Sequence, residues 1–84
     1  MPETRFEIGE KEKHLITVEL EYVSKRIMVE QDGALVAEAW HPSPLAKKFE
    51  FDVGGSEPHH IEITVGAFHP AELKVDGISA QPLP

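Results

Sequence analysis

Two stretches of this chain repeat one alternating pattern, and that repeat limits what it can fold into. From His14 to Leu20 the apolar residues Ile16, Val18 and Leu20 fall at every second position; from His59 to Val65, Ile61, Ile63 and Val65 do the same. A period of two belongs to a strand with one buried face. Each run is followed by a returning strand, Ile27 and Val29 in the first copy and Leu73 and Val75 in the second. Each copy then reaches an Asp-Gly pair, Asp32-Gly33 and Asp76-Gly77, with the second copy one residue shorter. Asp-Gly is a strong hairpin signal, because a type I′ turn needs positive φ at both central residues.

The remaining segments fit around these hairpins. Phe6 and Ile8 alternate with charges as a short leading strand, and Gly9-Glu10-Lys11-Glu12-Lys13 reads as a solvated turn. Ala34 to Trp40 is a less cleanly patterned strand. Helix propensity favours a rival reading over Ala34–Ala39, but two turns of helix directly after a tight hairpin fit poorly. His41-Pro42-Ser43-Pro44 cannot lie inside a sheet, since proline removes ladder donors, and it marks the crossing between sheets. Lys47 to Val53 alternates most regularly, with Phe49, Phe51 and Val53 facing inward. Gly54-Gly55-Ser56-Glu57-Pro58 is a loop, and Ile78-Ser79-Ala80 a final short strand. The expected fold is all-β: an antiparallel β-sandwich of seven or eight short strands. It forms one domain over residues 1–84, with 1–5 and 81–84 frayed. Its expected core is Ile16, Val18, Leu20, Ile27, Val29, Phe49, Phe51, Ile61, Ile63, Val65, Leu73 and Val75.

Composition removes several classes of function. A chain of 84 residues holds one core, and a domain of this size has a net stability of roughly 4–13 kcal/mol. The net charge of −7 argues against nucleic acid, and Lys25-Arg26 and Lys47-Lys48 are too few to follow a phosphate backbone. With no cysteine, neither a disulfide nor a thiolate zinc site is available. No apolar run approaches the ~20 residues of a membrane span, and the first residues lack the apolar stretch of a signal peptide. A cytoplasmic location is the resulting expectation.

The order of features resembles the Fas apoptotic inhibitory molecule (FAIM) family. The stretches that carry the resemblance are Lys25-Arg26-Ile27-Met28-Val29, Asp32-Gly33, Ala39-Trp40, Phe49-Glu50-Phe51-Asp52-Val53-Gly54, Ile61 to Val65, and Glu72-Leu73-Lys74-Val75-Asp76-Gly77. They span most of the chain from His14 to Gly77. The resemblance implies an all-β sandwich without catalysis, in a family that acts in cell-death signalling and is linked to protection against protein aggregation. It supplies no active-site residue to carry over.

The residues themselves offer little chemistry. His59 and His60 are strand neighbours, so their side chains point to opposite faces. His60 and His69 lie about 30 Å apart along an extended strand. His14 and His59 occupy matching places in the two units and could approach at one rim, but two ligands fall short of a structural zinc site. Asp32 and Asp76 are explained by their turns. Ser24, Ser43, Ser56 and Ser79 lie in no nucleophile elbow, and Gly54-Gly55 in no phosphate-binding fingerprint. No catalytic residue, cofactor or metal is therefore expected. One constellation stands out: Trp40-His41-Pro42 and Phe68-His69-Pro70 are both aromatic-His-Pro. Simple strand alternation places both at one end of the sandwich. Trp40, His41, Phe68 and His69 form a candidate binding surface there, unless the two rings plug the core. The expected function is a non-catalytic module contacting protein partners through loops or an edge strand, with weak homodimerisation as one use of an open edge. The alternative is a small-molecule or carbohydrate-binding domain accessory to an enzyme, and a histidine-based metal hydrolase ranks third.

Overall fold

The alternating runs become eight strands. In a computed structural model that describes residues 3–21, 23–40, 47–66 and 71–84, these are β1 (Glu3–Ile8), β2 (His14–Glu21), β3 (Arg26–Gln31), β4 (Ala34–Trp40), β5 (Lys47–Val53), β6 (His59–Val65), β7 (Glu72–Val75) and β8 (Ile78–Ala80). They form two four-stranded antiparallel meanders, ordered β1-β2-β3-β4 and β5-β6-β7-β8. The sheets pack as a sandwich, each sheet holding one copy of the repeated unit. The crossing expected at His41–Pro44 falls between β4 and β5, which lie in different sheets; its own residues are outside the described ones.

Both Asp-Gly pairs turn as expected, with φ of 51° at Asp32 and Asp76 and 87° and 84° at the glycines that follow. The register on either side keeps the apolar rows together. Val18 faces Val29 and Leu20 faces Ile27 in the first sheet, and Ile63 faces Leu73 and Ile61 faces Val75 in the second.

The buried core consists of Phe6, Ile8, Ile16, Val18, Ile27, Val29, Val53, Ile61, Ile63, Val65 and Leu73. It corrects the expected core at both ends of the ranking. Leu20, Phe49, Phe51 and Val75 are only partly buried against it, whereas Phe6, Ile8 and Val53 are sealed. Edge position bears on the two phenylalanines, although Val53 at the end of the same strand is sealed. β5 is an edge strand, so its inward Phe49 and Phe51 sit at the margin. β1 is also an edge strand, but the C-terminal segment runs beside it. Leu83 N–H donates to the Arg5 carbonyl at 2.7 Å. Where the sequence leads one to expect fraying over 1–5 and 81–84, β1 is paired from Glu3 onward and is bonded to the tail.

β4 breaks the alternation for a local reason. Val29 pairs with Ala37 but the next residue, Glu30, pairs with Leu35, so Val36 is an extra residue in a β-bulge. The half-buried Ala37 and Ala39 face inward, while Leu35, Val36, Glu38 and Trp40 are exposed.

Candidate functional site

Of the four residues expected to form a binding surface, Trp40 is described; His41, Phe68 and His69 lie outside the described residues. Trp40 ends β4 with 57% of its surface exposed, so it does not plug the core. Its register partner is Arg26, which donates from Nε to Glu38 at 2.9 Å. The charge of Glu38 is thereby neutralised within the sheet. Leu35 and Val36, 53% and 44% exposed, continue the apolar character along the strand.

This strand differs from the other three sheet edges. An unpaired strand edge is a template for another chain, and proteins commonly block it with charge, brevity or a cover. β5 carries Lys47, Lys48, Glu50 and Asp52; β8 has three residues; β1 has the tail bonded to it. β4 has seven residues and a single ionisable side chain, and among the described residues its one such device is the bulge at Val36.

At the opposite end of the sandwich, the turn after β1 and the loop after β5 interlock. Glu57 accepts from the backbone N–H groups of Glu10, Lys11 and Glu12 at 2.7–3.1 Å. Glu12 accepts in return from those of Gly55, Ser56 and Glu57 at 2.9–3.3 Å, and from the Ser56 hydroxyl at 2.7 Å. Each glutamate also meets a histidine of its own unit, with Nε2 of His14 2.6 Å from Glu12 and Nε2 of His59 2.5 Å from Glu57. The other ring nitrogens face the turn aspartates, His14 Nδ1 to Asp32 at 2.7 Å and His59 Nδ1 to Asp76 at 2.6 Å. Asp32 and Asp76 also accept from the backbone N–H groups of Leu15 and His60.

A ring flanked by two carboxylates donates from both nitrogens only as imidazolium. The pKa of His14 is raised, chiefly by Asp32 and then Glu12, and that of His59 by Asp76 and then Glu57. Glu12 is held far below the usual carboxylate range, first by His14. Glu57 is lowered to about 2, first by His59 and then by the three amides. With both nitrogens of each ring engaged inside its own unit, His14 and His59 do not act as a shared pair of metal ligands. Sequence reasoning placed both histidines and both aspartates in matching positions but missed the glutamates. The available signal was Glu-x-His at the same offset behind a glycine: Glu12-Lys13-His14 after Gly9, and Glu57-Pro58-His59 after Gly54.

These features define an all-β, two-sheet domain with one apolar edge and one tightly bonded rim. No family model, curated protein or solved structure matches the chain. Among the described residues no helix is long and apolar enough to cross a membrane.

Proposed function

We propose that this chain is a non-catalytic interaction module of FAIM type that receives an extended segment of a protein partner along β4. The observation that carries this reading is the apolar, solvent-facing strand formed by Leu35, Val36 and Trp40, whose one charged side chain is already paired. Strand addition draws affinity from main-chain hydrogen bonds and specificity from alternate side chains. An exposed tryptophan beside them supplies the anchoring area typical of interface hot spots. The net charge of −7 favours a heterologous segment over a second copy, because like-charged copies repel.

Photo-crosslinking from position 38 tests the edge. A specific adduct that disappears in Val36→Lys and in Trp40→Ser, while His14→Asn leaves it intact, supports the reading. An adduct insensitive to both edge variants sinks it. Sedimentation at high salt, where repulsion is screened, identifies the occupant. A dimer that Val36→Lys dissociates would place a second copy on β4, and a monomer leaves the strand to another protein.

A further inference from the structure

The outward face of β5 and β6 carries a second kind of chemistry, independent of β4. The ladder places Glu50 opposite Glu62 and Asp52 opposite His60, two successive outward-facing pairs. The ligand atoms of Glu50, His60 and Glu62 all lie within 4.8 Å of one another. Each belongs to the ladder of a paired strand, the kind of element that holds a site in place better than a loop.

The histidine is oriented as a ligand. His60 Nδ1 is 2.9 Å from Asp52 Oδ1. A ring that donates from Nδ1 to a carboxylate presents Nε2 on its far side, which is the arrangement found behind metal-bound histidines. Here Nε2 is 4.0 Å from Glu50 Oε1 and 3.9 Å from Glu62 Oε1. Both distances exceed a hydrogen bond. Two donors on one zinc-sized ion, each about 2.1 Å from it, sit roughly 3–3.5 Å apart, so small side-chain rotations would close the set. The charges point the same way. Directly opposed carboxylates such as Glu50 and Glu62 disfavour their own strand pairing. Among the described residues Lys48 Nζ lies within ion-pair distance of both, 3.5 Å from Glu50 and 3.9 Å from Glu62, and Lys74 is the register partner of Glu62.

We propose that Glu50, His60 and Glu62 bind a divalent transition-metal ion of the zinc class through His60 Nε2 and two carboxylate oxygens. Asp52 acts as a positioning residue behind the ring. Binding requires neutral His60, so its Nε2 proton goes to solvent, and the ion displaces Lys48 from between the two glutamates. The donor set of one imidazole and two carboxylates suits zinc, cobalt or nickel better than copper(I), which prefers sulfur.

Calorimetric titration of the full chain with zinc chloride at pH 8.5, repeated with cobalt(II) for its visible spectrum, tests the assignment. Wild type should bind one equivalent. His60→Asn and Glu62→Gln should each weaken binding tenfold or more. Asp52→Asn should weaken it about tenfold and change the ring nitrogen shifts of His60 that report its tautomer, an effect that a general loss of charge would not produce. Lys48→Gln should strengthen binding, and His14→Asn should leave it unchanged. All five positions lie outside the core, and a cooperative unfolding transition confirms that each variant folds. Zinc-induced amide shifts should concentrate at residues 50–52 and 60–62. The proposal is overturned if wild type shows no saturable binding, if His60→Asn binds as tightly as wild type, or if the shifts centre on His14 or His59.

Discussion

Glu12 and Glu57 do what a turn of this composition does not advertise. Each carboxylate gathers three backbone N–H groups from the other sheet's loop and one imidazolium from its own. Opposite limbs of a stability profile follow from their shifts. His14, raised above 6.5, contributes fully below that pH and loses its contribution as pH rises through the folded value. Glu57, lowered from 4.5 to about 2, contributes above 4.5 and loses its contribution as pH falls toward 2. Urea midpoints should therefore peak between about pH 4.5 and 6.5 and decline on either side. His14→Asn should flatten the alkaline decline; an unaltered slope would remove the ring from this role. The glycines ahead of the two loops are equally constrained. Gly9 and Gly54 have φ of 90° and 92°, and a Cβ on either would come within 2.1–2.2 Å of the carbonyl oxygen three residues on. Gly54→Ala should accordingly lower the thermal midpoint, whereas an alanine at the open position Gly55 should be tolerated. In the core, Phe6 has no exposed surface, and Phe6→Ala should cost about 3–5 kcal/mol. Phe51→Ala should cost less, because its ring is only partly covered. Equal denaturant midpoints for the two variants would contradict the ranking.

At the level of elements, alternation located most strands, because each sheet has one buried and one wet face, while β4 and β8 were placed by the Asp-Gly turns before them. Its failures have identifiable causes. The pattern of β4 looked irregular because Val36 is a bulge residue, and one extra residue reverses the faces beyond it. Phe6 is sealed on an edge strand to which a tail distant in sequence is bonded, whereas Phe49 and Phe51 are partly exposed on the edge strand β5. Neither can be read from a local window. Of the expected surface, the exposure of Trp40 bears on the site directly. The sole tryptophan should emit at long wavelength and be quenched by acrylamide. A blue-shifted emission resistant to quencher would place the ring inside and withdraw the anchor from β4.

Across the whole molecule, the two sheets are joined at one end by bonds that neither could form alone. Hydrogen exchange reads this coupling. Glu12→Gln should reduce protection of the amides at 55–57, on the opposite sheet, more than that of its own neighbours at 10 and 11. Glu57→Gln should do the converse. Losses confined to the mutated loop would mean that the two loops open independently. The exchange is reciprocal: each unit gives the other a carboxylate and receives one, and this is the form of an isologous contact in a closed twofold dimer. A single unit pairing with an identical unit could satisfy the same six backbone bonds. Sequence change is then constrained in linked pairs. A descendant that replaces Glu12 is expected to reshape the loop at 55–57 as well, and one that replaces Glu57 to reshape the turn at 10–12, because each carboxylate holds the amides of the other loop.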